Sequence, residues 1–97
     1  MAGMGDHRER RRILFSGRVQ GVGFRFRTQE IARRYPEIAG FVRNLPDGRV
    51  ELVIEGPAAS LKAMVDDVST AMSGYIEHVD VSQYGGTEAF SGFEIRY

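Results

Sequence analysis

Residues 38–55, IAGFVRNLPDGRVELVIE, carry the pattern that decides the fold of this chain. The run Pro46-Asp47-Gly48 near the middle is a strong turn signal. Residues 38–45 before it are typical of a strand, and in residues 50–55 apolar side chains alternate with acidic ones, as in a strand with one buried face. The two segments are therefore predicted to pair as a β-hairpin.

A helix is predicted on each side of this hairpin. From Phe24 onward the apolar residues fall at helical spacing, and Pro36 is expected to stop that helix. After the hairpin, Pro57 suits a first helical position. Within residues 61–72 the large apolar side chains form one stripe at helical spacing, and Gly74 is suited to cap the end of the helix. Each helix thus has a single face to bury.

Strands are predicted outside the two helices as well. Residues 13–20, ILFSGRVQ, alternate as a strand does, residues 76–84 form a fourth strand, and residues 93–97 form a short last one. The order is that of two β-α-β units joined by a hairpin, and right-handed crossovers place both helices on the same face. The predicted fold class is α+β: a ferredoxin-like α/β sandwich with an antiparallel sheet and two helices on one face.

Length and composition exclude several classes of protein. A chain of 97 residues forms one domain. It contains no cysteine, which excludes disulfides, thiolate metal sites and cysteine nucleophiles. No apolar stretch approaches the ~20 residues of a membrane span, and the first residues lack the apolar segment of a signal peptide. We expect a soluble protein of the cytoplasm.

The positive charge is concentrated at one end. Four arginines lie between residues 8 and 12, and residues 13–97 carry 9 basic against 11 acidic side chains. A nucleic-acid-binding domain usually has a basic surplus, so we expect a small, local anion site and no nucleic-acid partner. Residues 1–12 are predicted to be a flexible basic N-terminal tail, and residues 13–97 the folded domain. RNA binding through the arginine run is an open alternative.

Residues 17–25, GRVQGVGFR, lie between the first strand and the first helix. Backbone N–H groups at a helix start are unpaired and carry partial positive charge. Gly21 and Gly23 permit positive φ, so that successive amides can turn toward one anion. Arg25 adds a fixed fork of donors and a permanent charge. The stretch predicts a phosphate-binding loop, with a tight connection bearing solvated arginines as the alternative.

Other glycine motifs fit this stretch less well. A dinucleotide fingerprint needs a third glycine where Phe26 stands, and a Walker loop needs a lysine, whereas the only lysine is Lys62. The letters GVGFRF are similar to the aromatic strand of an RNA-recognition motif. That strand belongs third in the sheet, and residues 50–55 lack the stacking aromatics.

The chain contains GRVQGVGFR, GFVRN and PDGRVEL in this order, with GP before the second helix and FSGFEIRY at the end. In these motifs it resembles the acylphosphatase family, from about residue 12 to residue 97. This resemblance implies hydrolysis of the carboxyl-phosphate bond of small acylphosphates without a metal, a cofactor or a covalent enzyme intermediate. It also implies that Arg25 binds the phosphate and that Asn44 positions the attacking water. The implied cradle consists of the amides of Val19, Gln20, Gly21, Val22 and Gly23.

The titratable residues offer no obvious general base. His7 and His78 are the only histidines, and neither is expected to be catalytic. Asp66 and Asp67 lie on the polar face of the second predicted helix. An acylphosphate hardly needs a base, because its leaving groups are good and the phosphate itself can accept the proton of water. The neutral amide of Asn44 would orient water and substrate.

The chain departs from the family pattern in three places, and the first of them leaves the assignment of Asn44 open. Residues 34–40 look about one residue longer than usual, which could shift Asn44 relative to Arg25. Phe41 stands where tryptophan or tyrosine is common, and SGYIEHV lacks a frequent proline. The alternative is a non-catalytic phosphate-binding, acylphosphate-binding or protein-interaction module on the same fold, in which Asn44 only caps the hairpin. We expect a monomer in either case.

Overall fold

The structure is a computed structural model that describes residues 8–97. The elements follow the predicted order of strands and helices. They are β1 (Arg8–Gly17), α1 (Phe24–Ala32), β2 (Ala39–Asn44), β3 (Val50–Pro57), α2 (Ala58–Ala71), β4 (Ile76–Gln83) and β5 (Phe93–Arg96).

The strands form one sheet in the order β4-β1-β3-β2-β5. The first four strands pair antiparallel, as predicted, but β5 lies parallel to β2, so the sheet is mixed. The connection leaves β4 where Gln83 pairs with Arg11 and enters β5 where Phe93 pairs with Gly40. Both points lie at the same end of the sheet. A strand that starts there must run opposite to β4 and along β2.

The predicted boundary of the basic tail at residue 12 is wrong. β1 begins at Arg8, and residues 8–12 pair with residues 53–57 of β3. Carboxylates of that strand match two of the arginines directly, since Arg10 lies 2.8 Å from Glu55 and Arg12 forms an ion pair with Glu51, while Arg11 pairs with Glu9 of β1 itself. The remainder of the predicted tail, residues 1–7, lies outside the described residues.

The core fills the layer between the sheet and the two helices. It contains the alternate, helix-facing residues of β1, β2 and β3 together with one stripe of each helix. Burying each large apolar side chain contributes about 1.5–3 kcal/mol, so this one layer stabilises the whole domain. Among its fully or almost fully buried members are Ile13, Phe15, Phe24, Ile31, Val42, Leu52, Ile54, Leu61, Met64 and Val68.

The other face of the sheet is partly covered by residues 84–92. Arg10 donates a hydrogen bond to the carbonyl oxygen of Gly86 (3.0 Å), and its guanidinium carbon lies 4.6 Å from the ring centroid of Phe90. Phe90 packs edge-on against Phe41 of β2 at 6.0 Å between centroids. This segment carries the chain from one edge of the sheet to the other.

Neither helix of the described chain has the length and apolar character needed to cross a bilayer.

Candidate active site

The connection between β1 and α1 is held at both ends by apolar side chains. Val19 is fully buried in the core, and Val22 packs against it. Between and after them, Gly21 and Gly23 have φ values of 77° and 79°, which confirms the predicted positive φ. A Cβ atom at either glycine would meet nothing within 4 Å. These glycines are therefore required for backbone conformation and not for space.

Gln20 links this loop to the hairpin. Its side-chain Nε2 donates hydrogen bonds to the carbonyl oxygens of Leu45 (2.8 Å) and Arg49 (3.0 Å), on the two sides of the β2–β3 turn. The loop is thereby attached to the residue that follows Asn44. The motif drew attention to the amide of Gln20, but sequence reasoning missed the positioning contact of its side chain.

Arg25 lies in the first turn of α1 and is partly exposed. Its Nη1 donates a long hydrogen bond (3.4 Å) to the carbonyl oxygen of Arg96, and its guanidinium carbon lies 4.8 Å from the ring centroid of Tyr97. Within residues 8–97 it has no carboxylate partner. Its positive charge is therefore available to an anion.

Asn44 is the last residue of β2. Because side chains alternate along a strand, it lies on the same face as Val42, which belongs to the core beneath the helices. Arg43, one residue earlier, lies on the opposite face and contacts Glu51. Asn44 thus lies on the side of the sheet that carries α1 and Arg25.

The two predicted catalytic residues border one cavity of about 180 Å³. Gly21, Gly23, Arg25 and Asn44 all line it. Residues 33–38, which overlap the segment that looks long in the sequence, form turns, with N–H to carbonyl hydrogen bonds of 2.9 Å from Tyr35 to Ala32 and from Ile38 to Tyr35. This connection does not keep Arg25 and Asn44 apart, since both line the cavity.

The predicted cradle residues do not all reach the cavity. Val19 lines it together with the two glycines, whereas Gln20 and Val22 do not. Four residues that sequence reasoning missed as site residues do line it: Phe24 and Phe26 of α1, Ile95 of β5 and Tyr97 after β5. No sequence signal marks the side chains of these four as part of a site. Ile95 and Tyr97 come to the cavity because β5 adds to the sheet beside β2, whereas the two phenylalanines come from the start of α1.

The other titratable candidates lie elsewhere, as expected. His78 is exposed on β4, and Asp66 is exposed on α2, where it pairs with Lys62 (3.2 Å). Asp67 accepts a hydrogen bond from the hydroxyl of Tyr35, and this bond, with a smaller effect of burial, raises the pKa of Tyr35. Across residues 8–97, no three His, Asp or Glu side chains are grouped as metal ligands would be.

Comparison with known proteins shows the family. A sequence model described as acylphosphatase matches residues 11–95. The chain belongs to the acylphosphatase family. An acylphosphatase of Natronomonas pharaonis is 46% identical over 90 residues, which are 92% of this chain and 96% of that protein. An acylphosphatase of Salinibacter ruber is 43% identical over 82 residues, or 84% and 85% of the two chains.

Solved structures of the family share the fold. The crystal structure of acylphosphatase from Bacillus subtilis matches with a TM-score of 0.78 and 35% identity, covering 91% of this chain and 98% of that one. The resemblance stated from the sequence and the ferredoxin-like fold are both confirmed. The element order is thus that of the acylphosphatase fold. The cavity at the start of α1 is the candidate active site of this chain.

Proposed function

We propose that this acylphosphatase-family chain hydrolyses small acylphosphates to a carboxylate and inorganic phosphate in the cavity beside Arg25. The family match and the relatives named acylphosphatase support the activity. The observation that carries the assignment to this cavity is that a glycine loop, an arginine without a carboxylate partner and an asparagine amide all line it. These are the groups needed to bind a phosphate and to orient a water molecule.

The phosphoryl group is bound by Arg25 and the loop. The guanidinium offers a planar fork of donors to two phosphate oxygens, and amides at the start of α1 add donors with partial positive charge. The positive φ values of Gly21 and Gly23 set the direction of the neighbouring peptide groups. As the bond to the acyl oxygen breaks, these donors compensate the charge on the phosphoryl oxygens.

Asn44 orients the nucleophile. Its carbonyl oxygen accepts a hydrogen bond from water, while its NH₂ group donates to the substrate. The water oxygen bonds to phosphorus as the bond from phosphorus to the acyl oxygen breaks, and the carboxylate leaves. The proton of the attacking water passes to a phosphate oxygen, so that no protein base is required. The rate enhancement comes from alignment and charge compensation.

Hydrolysis of benzoyl phosphate and of acetyl phosphate, measured with EDTA present, tests the proposal. We expect turnover, with inorganic phosphate as a competitive inhibitor. Competition by phosphate without turnover of either substrate would favour the non-catalytic binding module instead. The EDTA arm also tests the predicted independence from metal ions. The cytoplasmic location, the monomeric state and the absence of a nucleic-acid partner stay predictions.

A further inference from the structure

Two exposed aromatic side chains border the candidate active site without a role in the core. Among the described residues, the exposed large apolar side chains are Phe26, Tyr75, Val79, Val81 and Tyr97. Single exposed apolar residues are ordinary on protein surfaces. Phe26 and Tyr97 differ from the other three because both line the cavity that contains Arg25 and Asn44.

Neither ring is placed there by packing of the fold. Phe26 is 62% exposed, whereas Phe24, two residues earlier on α1, is 2% exposed and packs against Phe15 of the core. Tyr97 is 99% exposed, and its ring contact is with the guanidinium of Arg25 at 4.8 Å. Phe26 directly follows Arg25 in sequence, and Tyr97 contacts Arg25 in space.

The remainder of the cavity wall is unsuited to a charged acyl group. Arg25 is the only charged side chain among its lining residues within the described chain, and Asn44 adds an amide. The proposed mechanism uses both groups for the phosphoryl group and the water. The other side chains that line the cavity are apolar: Val19 and Phe24 are buried in the core, so the surface left for the acyl group is that of Ile95 and the rings of Phe26 and Tyr97.

We infer that Phe26 and Tyr97 form the acyl-binding part of the active site and give the enzyme a preference for acylphosphates with an aromatic or bulky apolar acyl group. This inference rests on the proposed function, because a phosphoryl group at Arg25 brings its acyl group, attached through one oxygen, beside the two rings. A benzoyl ring gains contact with aromatic faces there. An acetyl group offers these rings much less apolar surface, and a charged acyl group finds no charged lining side chain other than Arg25 among the described residues.

Binding of two phosphonates tests the inference without relying on turnover. In benzoylmethylphosphonate and acetonylphosphonate a CH₂ group replaces the bridging oxygen of benzoyl phosphate and acetyl phosphate, so neither is hydrolysed. Calorimetric titration gives the ratio of their affinities. For the unaltered chain we expect the benzoyl compound to bind about 10-fold more tightly, since each aromatic contact is worth about 2- to 10-fold.

Variants assign the preference to the two rings. Phe26→Ala and Tyr97→Ala should each reduce the affinity ratio by about 3-fold, and the double variant should bring it close to 1. Tyr97→Phe, which keeps the ring, should retain the ratio. Tyr75→Ala is the matched control, because Tyr75 is also an exposed tyrosine beside an arginine, Arg18, at 6.0 Å, but does not line the cavity.

The outcomes separate this inference from the proposed function. Equal affinities for the two phosphonates in the unaltered chain overturn it, as does a ratio that survives in the double variant or falls equally in Tyr75→Ala. Failure of both phosphonates to bind overturns the inference and the proposed site together. A chain that shows the expected ratios but hydrolyses no acylphosphate supports the inference and contradicts only the catalytic proposal.

Discussion

Arg25 and Glu51 lie on opposite faces of the same sheet and represent two uses of charge. Arg25, on the helix-bearing side, contacts a backbone carbonyl and an aromatic ring and has no carboxylate partner within residues 8–97. Glu51, on the other side, is 3% exposed and forms ion pairs with both Arg12 and Arg43. The difference indicates which arginines are free to bind an anion: Arg12 and Arg43 are held by the carboxylate of Glu51, whereas Arg25 has no carboxylate in contact among residues 8–97.

The carboxylate of Glu51 remains ionised because of its two partners. Burial by itself would raise the pKa of this group, but hydrogen bonds from Arg12 and Arg43, together with their charges, outweigh burial and lower the pKa. Among residues 8–97, no carboxylate contacts Arg25 in this way. Consecutive residues of β2 separate the two regions, since Asn44 lines the cavity and Arg43 contacts Glu51.

The largest effect is expected from Arg25→Lys. A lysine keeps the charge but not the planar fork, so we expect kcat/KM for benzoyl phosphate to fall by about 10³-fold, as when a charge-stabilising arginine is lost in other phosphoryl transfers. Arg27→Lys is the control, because Arg27 is two residues away and pairs with Glu30 at 3.1 Å. A near-normal Michaelis constant in Arg25→Lys would count against direct contact with substrate.

Asn44→Ala comes next. It should lower kcat by about 10²-fold or more, the cost of one preorganised hydrogen-bonding group in other enzymes. Inhibition by inorganic phosphate should be retained, because Arg25 and the loop are unchanged. Steady-state kinetics with phosphate as inhibitor measure both quantities. Unchanged turnover would remove the assigned role of Asn44.

On the other face of the sheet, Glu51→Gln should destabilise the fold and leave activity intact. We expect a loss of about 2 kcal/mol, because two charge-assisted hydrogen bonds are weakened while both arginines can return to water. This corresponds to a fall in Tm of about 10 °C for a domain of this size. Thermal denaturation measures the change in Tm. Glu30→Gln is the control, because Glu30 forms a solvent-exposed ion pair with Arg27. A Tm equal to that of the unaltered chain would contradict a stabilising role.

The effect of Glu51→Gln should depend on pH. A carboxyl group whose pKa is lower in the folded than in the unfolded chain adds stability above its unfolded pKa, about 4.3, and that stability is lost as the pH falls through the folded pKa. The difference in unfolding free energy between the two proteins should therefore shrink below about pH 4. Urea denaturation from pH 3 to pH 7 measures the difference. A difference that does not vary with pH would mean that the charge of Glu51 is not the cause.

Gln20→Ala is expected to have the smallest effect of these substitutions. It removes the two hydrogen bonds between the loop and the hairpin, so we expect about a 10-fold loss in kcat/KM from poorer alignment and about 1 kcal/mol of stability. Gln29→Ala is the control. It truncates the same type of side chain at a position that does not line the active-site cavity. A loss of stability with no change in kcat/KM would show that the link is structural only.

The parts that the sequence predicted well are those encoded locally. Alternation in residues 50–55 predicts a strand with one buried face, and GRVQGVGFR predicts a turn with positive φ before a helix. The strand start at Arg8 was missed because Glu51 and Glu55, which match its arginines, are about 40 residues away in sequence. A run of charge without visible partners is typical of a solvated terminus.

The remaining features depend on how strands meet in space. Local alternation in residues 93–97 does not encode direction, so the parallel pairing of β5 could not be predicted from it. The position of Tyr97 at the cavity follows from that pairing. The contact of the Gln20 side chain with the hairpin could not be predicted either, because its partners Leu45 and Arg49 are 25 and 29 residues away in sequence.

The parallel docking of β5 has a consequence for how the domain folds. Arg25 and the carbonyl of Arg96 are 71 residues apart, so the cavity is complete only when the last strand has joined the sheet. A ligand that binds only the completed cavity stabilises the docked strand by mass action. Inorganic phosphate should therefore slow hydrogen exchange at the backbone amides of residues 93–96, which would make the enzyme's own product a stabiliser of its native state.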